Sequence, residues 1–539
     1  MAAGSEHRIL AAIDIGTNSI HMVVVRIETR LPNFSIISRE KATVRLGEVC
    51  PDTGSLTDKA MQRAFEALER CVAIARSHGA EATVAVATSA VREAPNGMAF
   101  LQRVDQKLGL TVDLISGQEE ARRIYLGVLS AMDFHNLPHV LMDIGGGSTE
   151  YILGDGREPQ FLHSLKLGAV RLTEQFLTSD PPTPEQLERL RHYIANQLER
   201  PLQQIQTLLG SQPVRLVGTS GTVESLAALD ARRRLGATPP ILQGYELSRA
   251  SVAAMLHEFM SLSKAERASV SGMPERRSEI IVAGALILHE TMNVLGADSI
   301  MICERALREG LIVDWMLTHG LIQDRLRYQS SVRRRHVLKL AHKYQVELPY
   351  AERVCAFALS LFDQLQGSLH QWGDGERELL AAAALLHNCG HFINHSAHHK
   401  HSYYIIRHDE LLGFTEEEIE IIANVARYHR KSPPKRKHPN FQSLTSDQHQ
   451  DLVCHLSALL RLAVALDRRR TGMVQWVRCD LDLAQRQLKL IVKPMQNGDP
   501  CTPELWSLDY NKQVFEKEFD LSISVQLEQP SPFALTPLV

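Results

Sequence analysis

Asp14-Ile-Gly-Thr-Asn-Ser19 is the stretch that decides the fold, because it recurs in the same chain as Asp143-Ile-Gly-Gly-Gly-Ser148. Each copy follows an apolar run, Ile9 to Ile13 in the first and Val140 to Met142 in the second. That pattern predicts a buried strand ending in a tight turn, with one carboxylate at the lip and small residues behind it. Such a turn can aim bare backbone N–H groups at phosphate oxygens, and an Asp beside it suits Mg²⁺. Asp and Gly also serve ordinary hairpin geometry. The repeat favours phosphate held between two halves of a duplicated domain.

Outward from the first copy, residues 9–27 read as strand, turn, strand. Ala60, Ala64, Leu68, Cys71, Val72 and Ala75 fall at helical spacing over 58–78. Short strands are predicted at Thr83 to Thr88 and Val112 to Ile115. The cycle restarts at Val140, with a strand at Glu150 to Leu153 and another at Arg215 to Val217. Gly218-Thr-Ser-Gly-Thr222 then reads as a third small-residue loop opening a helix. Alternation of strands and helices in two similar halves predicts an α/β double domain.

Beyond about residue 320 helical patterns dominate, as at Arg377 to Leu386 and Glu416 to Tyr428. Histidines gather at 387, 391, 395, 398, 399 and 401. From about 471 the pattern alternates, as in Gln487-Leu-Lys-Leu-Ile-Val-Lys493, which predicts a small sheet-bearing module. The expected domains are 1–137, 138–320, 321–470 and 471–539, with a frayed tail over Pro530 to Pro537.

Bulk properties exclude several classes. The 539 residues are 44% apolar and 22% charged, ordinary for a globular protein with large cores. A net charge of −3 excludes a bulk polyanion binder, so any such binding must come from a local patch. Eight scattered cysteines without a C-x-x-C pair point away from a disulfide frame or zinc ribbon. No apolar run reaches the ~18 residues of a membrane span, and no signal peptide is read. The expected location is cytoplasmic.

Several side chains stand out. Ser116 and Glu119 fit a capping box, which gives Glu119 a structural task. Glu120 has none, and reads either as a general base or as a first-turn Glu favoured by the helix dipole. Glu150, two residues after the second motif, can orient water or metal, or can be an exposed strand-edge residue. Arg92 can clamp phosphate or be a surface Arg. The phosphate-binding set is then Thr17, Asn18, Ser19, Arg92, Gly145, Gly146, Gly147, Ser148, Gly218, Ser220 and Gly221.

His387-Asn388 resembles the His-Asp metal motif of the HD phosphohydrolase superfamily, with neutral Asn in the place of Asp. Catalytic metal binding there is not expected, and a retained fold with structural or ligand-contacting histidines is. Between Arg427 and Arg470 there are ten Lys/Arg against three Asp. That stretch is a solvated face or a polyphosphate track, the latter built on Arg430, Lys431, Lys435, Arg436 and Lys437. Without interleaved aromatics, nucleic acid is not an expected partner.

Together these residues resemble the exopolyphosphatase/guanosine-pentaphosphate phosphatase family. The resemblance rests on Asp14 to Met22, Ile115 to Arg122, Asp143 to Glu150, Gly218 to Thr222, Glu304 to Gly310, Leu386 to Ser396 and Arg427 to Lys431. It implies two actin-like ATPase (ribonuclease-H-like) domains, an all-α degenerate HD-like domain and a small α+β C-terminal domain. It implies processive release of orthophosphate from inorganic polyphosphate, or hydrolysis of guanosine pentaphosphate. It further implies Mg²⁺ dependence, K⁺ as a candidate activator, and a homodimer. On that pattern Glu120 activates water, Glu150 assists, and Asp14 and Asp143 hold the metal. Two other classes stay open: an ATP-dependent kinase of the same fold, which would release ADP, and a non-enzymatic polyphosphate or alarmone sensor, which would bind without releasing phosphate.

Overall fold

In the computed structural model the described residues are 7–29, 33–50, 52–239, 241–322, 332–444, 446–496 and 498–528. The expected tail at Pro530 to Pro537 lies outside them. The chain divides into two compact units, Met1–Val332 and Arg333–Val539.

The first unit contains two mixed sheets of matching design. Strands β1 (His7–Ile15), β2 (Ser19–Glu28), β3 (Asn33–Thr43), β4 (Ala82–Ala87) and β5 (Val112–Leu114) lie in the order β3-β2-β1-β4-β5. Strands β6 (His139–Ile144), β7 (Thr149–Gly154), β8 (Phe161–Leu165), β9 (Leu216–Thr219), β10 (Glu246–Ser248) and β11 (Ser299–Ile302) lie in the order β10-β11-β9-β6-β7-β8. In each sheet an antiparallel three-stranded meander is followed by a parallel partner for its first strand, β4 beside β1 and β9 beside β6. Strands β6 and β7 are buried along their whole length, including the polar His139, Asp143, Thr149 and Glu150.

Helices of this unit are α1 (Asp58–Ser77), α2 (Ser89–Glu93), α3 (Gly97–Leu108), α4 (Gly117–Leu129), α5 (Ala169–Phe176), α6 (Pro184–Leu209), α7 (Ser220–Leu235), α8 (Arg249–Ser261), α9 (Lys264–Ser269), α10 (Ile281–Leu295) and α11 (Leu307–Thr318). Thr57 caps α1 by accepting from the Ala60 N–H, and Thr183 with Gln186 forms a full capping box on α6. Helix α10 is apolar on most of its surface, because α5, α6 and α8 all pack on it.

The two halves exchange a helix. Helix α4 packs against β7 and β8 of the second sheet, while α11 returns to β1 and β2 of the first. The cut at 137/138 suggested by the repeat therefore does not separate the two lobes. Helices α4 and α11 also meet each other with backbone in contact. A Cβ on Gly127 would stand 2.0 Å from the Ala306 oxygen, and one on Gly310 would stand 1.8 Å from the Arg123 oxygen. Arg122 and Arg123 of α4 both reach Asp314 of α11 and fix the rotation of the pair.

The second unit holds α12 (Val332–Lys343), α13 (Leu348–Leu365), α14 (Asp374–Leu386), α15 (His398–His408), α16 (Glu416–Arg427), α17 (Pro439–Gln442), α18 (Asp447–Leu466) and α19 (Thr502–Phe519). A sheet of β12 (Val474–Asp482), β13 (Gln487–Pro494) and β14 (Ser522–Leu527) completes it. The alternation in the sequence is real, but the sheet has no separate core. Leu488, Leu490, Val492, Phe515 and Ile523 share one apolar cluster with Leu361, Leu459 and Leu466 of the helices. No helix among the described residues is long and apolar enough to cross a membrane.

Candidate active site

Both motifs are two-residue hairpin turns, and they close identically. Gly16 N–H donates to Ser19 O at 3.1 Å, and Gly145 N–H donates to Ser148 O at 2.9 Å. The reading as a plain turn is thus correct for each loop alone. What adds chemistry is how the loop carbonyls are tied. Thr17 O accepts from Gly47, and Asn18 O from Val44 and Arg45. In the second loop Gly145 O accepts from Ala169, Gly146 O from Val170 and Arg171, and Gly147 O from the Arg171 Nε. Across a trans peptide the C=O and the following N–H point in opposite directions. With the carbonyls held from behind, the N–H groups of Asn18, Gly146, Gly147 and Ser148 are turned away from that support. The N–H groups of Gly146, Gly147 and Ser148 find no acceptor among the described residues.

The loops face one another. A Cβ on Gly147 would stand 2.5 Å from Thr17 Oγ1 and 2.6 Å from Ser89 Oγ, and one on Gly146 would lie 3.2 Å from Thr17 Cβ. None of these loop glycines has positive φ, so close approach, not left-handed backbone, requires them. Gly168 is tighter still, with its Cβ position 2.2 Å from Gly146 O.

Four carboxylates converge here. Asp143 and Glu150 are directly opposed across β6 and β7. Glu150 is 1% exposed and not at an exposed edge, because β8 covers that side and Ser164 donates to it at 2.7 Å. Burial pushes Glu150 up to about 7, against the Ser148 and Ser164 hydroxyls. Glu120, in the first turn of α4, is also buried. It is held well above the usual carboxylate range by burial first and by Glu150 next, with Arg92 opposing. Asp143 is likewise raised by burial, Glu150, Asp14 and Glu224, and Asp14 rises to about 6 mainly through burial, with Arg308 pulling it down. Burial is the largest cause at all four, and at Glu120 and Asp143 neighbouring carboxylates add to it.

Several expectations need correction. The Ser116 side chain accepts from the Glu119 N–H as expected, but the Glu119 carboxylate does not close the box; it pairs with Arg122 and Arg123. Arg92 is not a plain surface residue: one Nη donates to Ile115 O at 2.8 Å and to Glu120 at 3.2 Å, which places its guanidinium beside the carboxylate cluster. Gly218 through Thr222 is not a loop, since β9 runs straight into α7 with Ser220 at φ 78°. The Ser220 hydroxyl donates to Ile144 O, and the Gly218 Cβ space is filled by Ile300 and Val223. Gly218 builds the scaffold, while the Ser220 side chain also hydrogen-bonds with Asp143 and stays at the site. Gly221 remains at the site, with the Arg277 guanidinium lying against it. Ser148 serves Glu150, and Ser19 contacts His21 at 2.9 Å.

A basic cluster escaped the sequence reading. Lys41, Arg276, Arg277 and Arg308 act on one another and on Asp14, Asp143 and Glu224. Burial and then the three arginines bring Lys41 down to about 8. Arg308 lies within the quoted Glu304 to Gly310 segment, and the helix-interior Gly310 beside it was the one available signal. Arg276 and Arg277 carry no motif.

In the second unit Lys431, Lys435, Arg436 and Lys437 are exposed and Arg430 half-exposed. Other members of the basic stretch have structural work. Arg461 is buried and donates to the Tyr428, Lys431 and Ser432 carbonyls, while Arg469 pairs with Asp499 and Glu504. Asn388 hydrogen-bonds with buried Tyr350.

The Ppx/GppA phosphatase family matches residues 23–319, and Ppx/GppA phosphatase, domain III, matches residues 332–512. A guanosine-5'-triphosphate,3'-diphosphate pyrophosphatase of Vibrio vulnificus is 30% identical over 516 residues, covering 95% of this chain and 98% of that protein. The homologous protein of Vibrio parahaemolyticus is 30% identical over 481 residues, covering 88% and 90%. The crystal structure of an exopolyphosphatase from Cytophaga hutchinsonii superposes with a TM-score of 0.53 at 27% identity, covering 58% of this chain and 98% of that one. Two facing hairpins on duplicated mixed sheets are the actin-like arrangement, and with both family regions matched, the chain belongs to the Ppx/GppA phosphatase family, whose members hydrolyse phosphoric anhydrides.

Proposed function

We propose that the protein is an exopolyphosphatase that removes terminal phosphate from inorganic polyphosphate. The observation that carries the reading is the pair of facing hairpins, with bare N–H groups between a proton-retaining carboxylate cluster and a basic cluster. The terminal phosphoryl group would take its equatorial oxygens onto the N–H groups of Asn18, Gly146, Gly147 and Ser148. Glu120, oriented by Arg92, takes the proton from a water attacking phosphorus in line with the bridging oxygen. The water oxygen–phosphorus bond forms, the phosphoanhydride bond breaks, and orthophosphate leaves. Arg277, Arg308 and Lys41 balance the charge of the departing chain. Glu150, with a value near 7, shares the proton load with Glu120.

Asp14, Asp143 and Glu150 are hard oxygen donors whose raised values fit a bound Mg²⁺. When bound, Mg²⁺ supplies neutralising charge to the phosphate oxygens. K⁺ activation and a homodimer belong to the same proposal. The exposed Lys431, Lys435, Arg436 and Lys437 offer a surface for a long polyanion.

Guanosine pentaphosphate is the second reading, favoured by the names of the relatives that match nearly the full length. It presents the same terminal anhydride. Purified protein with Mg²⁺ and long-chain polyphosphate decides between them. Steady orthophosphate release with residual chains near full length is the expected result. No release from polyphosphate, with release from guanosine pentaphosphate, would transfer the assignment to the second reading.

A further inference from the structure

Each hairpin is braced by an arginine whose side chain crosses to the other half of the first unit. Arg45 donates its backbone N–H to Asn18 O of the first hairpin at 2.9 Å, and its guanidinium reaches Glu279, just before α10 of the second half, at 3.3 Å. Arg171, on α5 of the second half, donates its backbone N–H to Gly146 O of the second hairpin at 3.1 Å. Its guanidinium reaches Glu93, on α2 of the first half, at 2.9 Å.

The two braces are unequal. The Arg45 side chain is 48% exposed and pairs with Glu279 and, at 3.7 Å, with Glu48. An ion pair so placed is screened by solvent and contributes little. The Arg171 guanidinium grips the hairpin as well as the carboxylate: Nε donates to Gly147 O at 2.8 Å while Nη2 donates to Glu93. Glu93 is in turn fixed on both oxygens. Oε1 also accepts from the Ser89 hydroxyl at 2.9 Å, and Oε2 pairs with Lys166 at 3.0 Å. Burial works against its charge, yet Lys166, Arg171 and Ser89 together hold it below the usual carboxylate range.

This chain of contacts controls one peptide. Gly147 O and the Ser148 N–H lie in the same peptide plane and point in opposite directions, so a donor fixed on the oxygen fixes the direction of the N–H. Arg171 approaches from the carbonyl side, away from the phosphate, and acts through the peptide that it holds. The residue before Glu93 on α2 is Arg92, which donates to Glu120 at 3.2 Å. Successive residues of one short helix therefore lead to the candidate base and to a phosphate-facing N–H. We propose that Glu93 and Arg171 are positioning residues for anhydride hydrolysis, an ion pair across the two halves that sets the Gly147–Ser148 peptide in register with Glu120. The inference rests on the reading of this cleft as the place of hydrolysis, and it holds for either terminal anhydride. A donor misplaced by about 1 Å costs roughly 100-fold in rate, because its worth is realised in the transition state.

The test is steady-state phosphate release by the full chain with Mg²⁺, on polyphosphate and on guanosine pentaphosphate. Glu93→Ala and Arg171→Ala should each lower kcat about 10–100-fold and leave KM nearly unchanged, the signature of an interaction realised in the transition state. The double variant should be no slower than the poorer single one, since both break the same chain of contacts. Arg171→Lys keeps a charge opposite Glu93 but loses the planar fork that holds Gly147 O as well, so its kcat should fall too. Arg233→Gln breaks an ion pair of 2.8 Å with Glu258 elsewhere in the second half and should change nothing. Thermal unfolding of each variant separates lost positioning from lost fold, and Arg171→Lys carries the test if an alanine variant does not fold. Release from neither substrate by the wild type would remove the proposed function and the positioning role with it. Release by the wild type with folded variants at wild-type turnover, with losses that multiply in the double variant, or with a raised KM at unchanged kcat would overturn the positioning role alone.

Discussion

The two hairpins share hydrogen bonds and support but not composition. Where the first has Thr17-Asn18, the second has Gly146-Gly147. The difference follows from which loop gives way. Thr17 and Ser89 occupy the space above Gly147, so only one side of the contact can carry side chains. The facing strands differ too. Asp14 is opposed across the hairpin by His21, and Asp143 by Glu150. The two sheets carry equivalent hairpin turns, and only the second has a carboxylate pair, Asp143 and Glu150, beside Glu120. The lesson is that a symmetric scaffold can hold an asymmetric set of side chains, with the carboxylate pair on one hairpin alone.

The most severe break of this asymmetry is Glu120→Gln. Turnover should fall about 10²–10⁴-fold with polymer binding retained, as read by steady-state phosphate release beside a binding isotherm. Equal loss of binding would count against the base role. Next comes Gly147→Ala, whose Cβ meets Thr17 and Ser89 and should cost about 1–3 kcal/mol in denaturant unfolding. Asn18→Gly, the swap in the opposite direction, should cost under about 1 kcal/mol. Similar penalties in the two would erase the distinction between the loops.

Glu150→Gln sharpens the comparison through pH. The folded value of about 7 exceeds the unfolded carboxylate value, so the folded chain holds this proton more tightly. Its contribution is therefore complete below about pH 4.5 and is lost as pH rises toward 7. The Gln variant should be more stable than wild type by about 1–3 kcal/mol at pH 8, with the difference vanishing near pH 4, while turnover drops. The smallest effect is expected at Lys41. Its value near 8 means that its charge fades above that pH, so KM should climb a few-fold between pH 7 and 9, and Lys41→Arg should move that limb upward.

Much of the fold was legible because buried strands of a duplicated sheet write themselves as repeated apolar runs ending in Asp-x-Gly. Glu120 was legible as an acidic residue without a capping task. That Arg92 pairs with it was not legible, because the Ile115 carbonyl that holds the guanidinium is 23 residues away in the chain. Of the two readings of Glu150 the exposed edge fails, because β8 covers that side, and local sequence did not show that strand beside it. Ser220 and Gly218 looked like a loop because small polar residues mark turns and tight strand–helix junctions alike. The basic cluster was hidden for a simpler reason: Lys41, Arg277 and Arg308 come from three distant segments, and only the folded sheets bring them together.

The exchanged helices have a consequence for synthesis. The first sheet lacks the cover of α11 until residue 318 has been made, and α4 has no sheet to rest on until β7 and β8 exist. A nascent chain ending near residue 137 would therefore present the Gly127 groove and one face of the first sheet to solvent, and waits on its own C-terminal neighbour. The first lobe, although begun first, is closed last, after the second sheet that ends at residue 302, so it passes through a long exposed interval, the stage at which a chaperone has most to hold.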